Sequence, residues 1–443
     1  MTNVALPAIA RDLGLGIAGL QWVMNGYLLT LSALMLLGGA IGDRYSRQRV
    51  FAVGLVAFAI ASLGCALSPG IVVLVVARVV QGIAGALVVP NSLALLETTF
   101  EGEARGAAIG QWAAWSGVST ALGPLVGGWL VDATSWRFVF VVVAPIALIA
   151  AAIVSRAATG PRRDGARTRS PIDYRGAALA TLGLAGVVGG LTEGPDVGFT
   201  KPIVLAALIA GAALLVAFVV VEGRTANALL PLDVFRSRLF VGVNATTLLV
   251  YAALSGLIFL LMLELQSALG YSALAAGASL LPVNLLLLGM SPLAGRVAHR
   301  IGPRIPMAGG ALIVAAGTLL FVRVRPGASY ATTVLPAAIV FGVGLAWFVA
   351  PLTSVALGAL GEERAGLASG VNNAVARLAG LLATAVIPLA AGLGGTHDLR
   401  GATLSAGFAR AMMISSALCV CGAVVAALTV GRSARTARSS PRE

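Results

Sequence analysis

Leu20 to Ser68 reads LQWVMNGYLLTLSALMLLGGAIGDRYSRQRVFAVGLVAFAIASLGCALS. Two runs of about twenty mostly apolar residues flank one short polar turn, and a helix of about that length crosses roughly 30 Å of hydrocarbon. The turn, Gly42 to Arg49, carries the acid Asp43 and the cations Arg44, Arg47 and Arg49. The stretch therefore predicts two membrane-spanning helices joined at a basic membrane surface.

Outward from this pair the same pattern fills the chain. Spans are expected near 20–41, 50–68, 71–93, 106–130, 138–155, 176–192, 202–221, 239–263, 273–294, 305–322, 331–357, 366–392 and 409–430. Composition agrees: 58% of the 443 residues are hydrophobic, 11% are charged and the mean hydropathy is +0.96, against about 25% charged in an ordinary globular domain. Within lipid only helices and closed barrels satisfy their own backbones. The alternating segments of a barrel are missing, and 55 glycines suit close helix packing. The expected fold class is an all-α polytopic membrane protein.

A net charge of +13 does not mark a nucleic-acid binder, because the cations sit in short gaps between apolar runs instead of forming one patch. Alternate gaps hold 21 and 7 of the basic residues, and Arg78 and Arg377 fall inside spans. By the positive-inside rule the richer set and the C-terminus face the cytoplasm. Thirteen spans would then leave the N-terminus outside. The short apolar run Val4 to Ala10, followed at once by Arg11 and Asp12, reads as the end of a further helix, so the expectation is a fourteen-helix design lacking most of helix 1. Cys65, Cys419 and Cys421 lie in or beside apolar runs and read as buried, inert thiols, with no disulfide framework or zinc site.

An internal echo organises the spans. GALVVPNSLALLETTFEGEARGAAIG, from Gly85 to Gly110, is answered by LAWFVAPLTSVALGALGEERAGLASG, from Leu345 to Gly370, with Pro90 matching Pro351. GDRYSRQR at Gly42 to Arg49 is answered more weakly by AHRIGPR at Ala298 to Arg304. Two parallel copies of a six-helix bundle explain both echoes. The expected division is an N-terminal bundle over 1–155, a cytoplasmic linker with two extra helices over 156–237, a C-terminal bundle over 238–431 and a basic tail over 432–443. The linker's PRRDGARTRSPIDYR, Pro161 to Arg175, suits anionic headgroups in a generic way.

With Gly38 four residues before Gly42, the turn resembles the signature loop of the major facilitator superfamily, departing from it at Ser46 where that family usually has Gly. The resemblance implies that Gly38 and Gly42 permit close helix contact and that Asp43 and Arg44, with Arg47 and Arg49, form a gate that latches the outward-facing state. Arg78-Val-Val-Gln81-Gly82 is similar to that family's fourth-helix motif, in which such an Arg takes part in proton coupling with an acid on helix 1. A cation inside a span is a functional-site hypothesis in its own right, with snorkelling to an interface as the alternative. Gly117 followed by Gly123-Pro124-Leu-Val-Gly127-Gly128 is close to the antiporter motif of exporting facilitators, in which proline and glycine let a helix bend and pack against the other half.

Gln21-Trp22-Val-Met-Asn25-Gly-Tyr27, Ser135-Trp136-Arg137-Phe138, Leu269-Gly270-Tyr271-Ser272 and Gly366-Leu-Ala-Ser-Gly370 resemble the fourteen-spanner drug:proton antiporters of the EmrB/QacA type. That resemblance implies a bacterial cytoplasmic-membrane exporter working by alternating access, with two linker helices between its six-helix halves. Candidate substrate-cavity residues are Trp22, Asn25, Gln111, Trp112, Trp115, Asn244, Asn284, Trp347, Asn372 and Asn373. Glu264 is the most membrane-embedded acid and the candidate for carrying the proton; His299 stands where the second repeat has lost its loop Asp. No phosphate-cradling loop, HExxH pair or GxSxG elbow is present, so neither an ATP-driven pump nor a membrane hydrolase is indicated. The expected function is proton-coupled efflux of lipophilic or cationic drugs or secondary metabolites, without cofactor or metal; the sequence leaves the oligomeric state open, a monomer being plausible. The partners are the substrate, protons and the bilayer. The alternatives are an exporter dedicated to one endogenous metabolite and a non-transporting membrane binding protein.

Overall fold

In the computed structural model, which describes residues 1–156, 172–225, 228–396 and 401–431, every apolar run becomes a helix because the backbone has no other way to pair its polar groups in lipid. We number the helices α1 (Thr2–Leu13), α2 (Ile17–Arg44), α3 (Arg47–Ala66), α4 (Ile71–Thr99), α5 (Gly102–Ala133), α6 (Phe138–Arg156), α7 (Tyr174–Val197) and α8 (Pro202–Glu222). The second series is α9 (Arg238–Ala268), α10 (Ala273–Ile301), α11 (Arg304–Arg323), α12 (Tyr330–Gly358), α13 (Ala365–Ala390) and α14 (Ala402–Thr429). No strand occurs among the described residues.

Twelve of these helices are long and apolar enough to cross a membrane. The thirteenth expected span, 106–130, is the continuous 32-residue α5, which falls outside that set because Gly, Ser and Trp dilute its apolar run. Helix α1 has 12 residues and ends on Gly14 at φ 65°. At 1.5 Å per residue it is about 18 Å long, short of a crossing, and its Leu6 and Ile9 are fully buried. The basic tail 432–443 and most of the linker stretch from Pro161 to Arg175 lie outside the described residues.

Helices α2, α3, α4 and α6 pack together, as do α9 to α14, while α7 and α8 pair with each other and α7 rests on both α2 and α13. The sequence echoes fall on equivalent elements: α4 and α5 match α12 and α13, and the α2–α3 turn matches the α10–α11 turn, always eight helices apart. Gly38 and Gly42 lie where α2 meets α4; a side chain on either would run into Ala86 or Asn91. The Asn91 amide donates to the Gly38 carbonyl at 3.0 Å, so the motif glycines set the spacing of these two helices. Cys65 and Cys419 are buried, but Cys421 is exposed, which corrects the expectation of three buried thiols. Two residues on a helix are about 200° apart, so Cys421 leaves the core face that Cys419 occupies.

Candidate functional site

Between the two sets of helices lies a cavity of about 630 Å³, within the usual range for small-molecule sites. The first half contributes Asn3, Met24, Tyr27, Phe58, Arg78, Gln81 and Phe140, and the second contributes Tyr251, Ser255, Phe259, Asn372, Asn373 and Arg377, among others.

The halves are closed at the Arg-poor ends of the helices. There the Gln21 amide donates to the Thr384 carbonyl at 2.7 Å, the Gln266 amide donates to the Val4 carbonyl at 3.0 Å, and the Ile17 N–H donates to the Thr396 carbonyl at 3.2 Å. Asp132 at the end of α5 accepts from the Ala273 and Leu274 N–H groups at 2.9 and 2.8 Å, a carboxylate on the first turn of α10 where unpaired donors and the helix dipole favour it. Gly128 abuts the Ala273 and Leu274 backbone, and Gly277 abuts Pro124. Gly127 lies against Met1, and Gly117 meets the Leu288 side chain. The Gly-Pro-Gly-Gly segment thus lets α5 approach α1 and α10 to backbone distance, and the helix continues unbroken through Pro124. Beyond Gly117 the two helices part: Gly106, Gly110, Gly289 and Gly295 face open space, and the cavity's wall ends in the exposed Thr353, Leu357 and Asn373 on the Arg-rich side.

Arg78 is 4% exposed, which rules out snorkelling. Its Nε donates to the Val23 carbonyl at 2.9 Å, its Nη1 to Gln81 Oε1, and its guanidinium lies 4.4 Å from the Tyr27 ring centroid. Gln81 in turn donates to Ser62 Oγ at 2.7 Å. All these partners are neutral. Arg377, counted in the sequence only as a cation inside a span, points into the same cavity; it is exposed there and has no hydrogen bond or ion pair among the described residues. The signal that could have singled it out was the one used for Arg78, a charge twelve residues inside an apolar helix.

Of the ten proposed cavity residues, Asn372 and Asn373 line the cavity. Asn244 stands directly behind: the Asn372 amide donates to Asn244 Oδ1 at 3.2 Å and to Thr247 Oγ1 at 2.8 Å. Asn25 is buried with both side-chain polar atoms unpaired, on the face of α2 that carries Gln21 toward α13. Trp22 donates to Glu193 Oε1 at 2.6 Å and so faces α7. Gln111, Trp112 and Trp115 gather in a separate cleft of about 510 Å³ between α4 and α5. Asn284 donates to its own helix at Leu280, and Trp347 lies where α12 meets Gly310 of α11. Periodicity could not say which face of each helix turns inward, so these residues scatter.

Asp43 pairs with Arg47 at 2.7 Å within its own turn, Arg44 lies 6.0 Å from the Tyr45 ring centroid, and the Arg49 backbone N–H donates to the Ser46 Oγ that caps the start of α3. Glu264 is fully buried, away from the cavity, where α9 meets α14; Ser405 donates to Oε1 at 2.6 Å and Oε2 has no partner. His299 is exposed at the Arg-rich end of α10. On the opposite side Asp12 accepts from Trp136 Nε1 at 2.9 Å and from Arg137 at 2.6 Å. These two hydrogen bonds, from Trp136 first and then Arg137, hold its carboxyl below the usual value.

The arrangement matches known proteins. Residues 1–384 match the family model described as Major Facilitator Superfamily. The puromycin resistance protein pur8 of Streptomyces alboniger is 37% identical over 393 residues, 87% of this chain and 77% of that protein. The tetracenomycin C resistance and export protein of Streptomyces glaucescens is 33% identical over 385 residues, covering 87% and 71%. Multidrug resistance protein Stp of Mycobacterium tuberculosis (strain CDC 1551 / Oshkosh) is also 33% identical, over 388 residues, covering 87% and 71%. Among solved structures, an auto-inhibited POT family peptide transporter superposes with TM-score 0.68 at 15% identity over 100% of this chain and 95% of its own. An inward-facing bacterial homolog of the lysosomal transporter Spinster gives 0.67 at 15% identity, covering 97% and 93%. Two helix sets around one cavity, closed at one end and parted at the other, together with a family match over most of the sequence, make this chain a member of the major facilitator superfamily.

Proposed function

We propose that the chain is a proton-coupled exporter that takes lipophilic small molecules from the cytoplasmic, Arg-rich side and releases them outside by alternating access. The observation that carries this reading is the cavity between the halves, sealed on the Arg-poor side and exposed on the other. The names of the resistance and export proteins it resembles agree with that direction. We read its architecture as the fourteen-spanner antiporter type, with α7 and α8 as the added pair.

In this mechanism the contacts of Asp132, Gly128 and Gln21 break as the outer ends separate. Asp43 exchanges Arg47 for a partner in the other half, and Asp43 and Arg44 then latch the outward-facing state. Arg78 links cavity occupancy to the proton, and Glu264, buried beside Ser405, carries it. Everted vesicles given a fluorescent lipophilic dye and an imposed proton gradient test the coupling: accumulation should require the gradient and be lost in Glu264→Gln. Accumulation that ignores the gradient sinks the coupling, and accumulation without loss in the variant sinks the assignment of Glu264.

A second reading, an exporter dedicated to one endogenous metabolite, gains from two arginines reaching the cavity, since fixed charges select among substrates. A narrow transport profile across chemically unrelated dyes would favour it.

A further inference from the structure

We infer that the substrate of the central cavity is an organic anion with an apolar, aromatic body, and that Arg377 is the residue that holds its charge. This rests on the cavity being the transport site proposed above. Ala365 begins α13 at the Arg-rich end, so Arg377 lies about 18 Å along the helix, near mid-membrane. An arginine keeps its charge there, and a cation at that depth requires a partner. Arg377 has none among the described residues, although it lines the cavity.

The rest of the wall offers no anion. Among the described residues lining the cavity there is neither aspartate nor glutamate, and the other charged side chain is Arg78 on the opposite wall. Arg78 has already committed its Nε and Nη1 to Val23 and Gln81, so Arg377 is the available fork. The two guanidiniums repel a cationic guest and attract an anion. The amides of Asn372 and Asn373 flank Arg377 on the same helix, while Phe58, Phe140 and Phe259 supply apolar and ring surface. A carboxylate or phenolate on an aromatic frame satisfies both kinds of wall, a guanidinium fork for the anion and aromatic faces for its body. This narrows the sequence expectation of lipophilic or cationic cargo to an amphiphilic anion.

The test is equilibrium binding to the full-length chain in nanodiscs, read by fluorescence polarisation without any proton gradient. The two probes share one xanthene ester skeleton: fluorescein methyl ester, an anion, and its diamino analogue, a cation. The anion should bind at least about tenfold more tightly. Arg377→Gln should remove that preference and Arg377→Lys should retain most of it, with melting and gel filtration of both variants unchanged because Arg377 makes no hydrogen bond or ion pair among the described residues. Equal or tighter binding of the cation, or an unchanged preference in Arg377→Gln, overturns the proposal. So does competition by phosphatidylglycerol in place of phosphatidylcholine discs, which would assign Arg377 to a lipid headgroup. Anion binding that persists while everted vesicles show no export overturns the exporter reading and leaves this one standing.

Discussion

Arg78 and Arg377 face one cavity from opposite walls, yet their surroundings differ completely. Arg78 is wrapped by a backbone carbonyl, an amide and two rings, and its neighbour Gln81 is anchored to Ser62. Arg377 rises from α13 exposed in the cavity, with no hydrogen bond or ion pair among the described residues. The difference teaches that burial depth alone does not assign a role to a membrane arginine. A guanidinium held by a carbonyl, an amide and two rings belongs to the helix framework, whereas one without hydrogen bonds is available to a ligand.

The largest effect expected is at Arg78. Arg78→Ala takes the donor from Gln81 Oε1 and removes the guanidinium packed between the Val23 carbonyl and two rings, and should cost about 2–4 kcal/mol of stability, measured by unfolding in mixed micelles, with gradient-driven efflux falling to background. Arg377→Ala should change the same unfolding free energy by less than about 0.5 kcal/mol. Equal destabilisation by the two would break the comparison outright.

Gly128→Val sharpens it from the side of the seam joining the two walls. A branched side chain there meets the Ala273 and Leu274 backbone, which cannot yield as a side-chain tip could, so a loss of about 1–3 kcal/mol is expected. Cysteine labelling inside the cavity from the external face should rise in this variant. Unchanged labelling would mean that the α5–α10 contact is not what seals the outer end.

A smaller effect is expected behind the second wall. Asn244→Ala removes one of the two acceptors that orient Asn372 while leaving Thr247 in place, a cost of about 0.5–1.5 kcal/mol. Probe binding should weaken only a few-fold, and a loss as large as that of Arg377→Gln would move the anchor from Arg377 to the asparagine pair. The smallest effect belongs to the exposed Asp12, whose pairing should contribute well under 1 kcal/mol. Its carboxyl is held below the usual value of 3.8 by Trp136 and Arg137, so the contribution is complete above pH 3.8 and fades as pH falls through the lower folded value. The stability gap between the native chain and Asp12→Asn should therefore be constant near neutrality and close only below that pH. A gap that closes at higher pH would contradict the direction of the shift.

Much of this architecture was legible along the chain because the bilayer imposes one-dimensional rules. A run such as 202–221 has to be a helix of about that length, and α8 occupies Pro202–Glu222. The twin prolines Pro90 and Pro351 revealed the repeat that places α4 opposite α12. The motif glycines were readable as contact points, and Gly38, Gly42 and Gly128 each prove to be where two backbones or a buried amide come close. The α5 helix was legible by length and motif, although its diluted composition keeps it outside the set apolar enough to cross a membrane.

The cavity was far less legible. Trp22, Gln111, Trp112, Trp115, Asn284 and Trp347 were chosen for chemistry and are not among the residues that line the cavity, because helix rotation is set by packing partners distant in sequence. Arg377 was passed over for the converse reason: nothing near it in the chain says that its flank of α13 turns toward Arg78, 299 residues away.

By itself the sequence determined that this is a many-helix membrane protein, roughly where its helices lie, and to which superfamily its turn and glycine motifs point. These follow from hydrophobic length and local backbone chemistry, which act along the chain. Only the tertiary structure decided that α2 through α6 and α9 through α14 meet at the Arg-poor ends and part at the other. It likewise decided which arginine is enclosed and which is free, since helix rotation depends on contacts between segments hundreds of residues apart. The first feature read, the basic turn from Gly42 to Arg49, shows both limits: its glycines foretold the α2–α4 contact, while the Asp43–Arg47 pairing within the turn came from the fold.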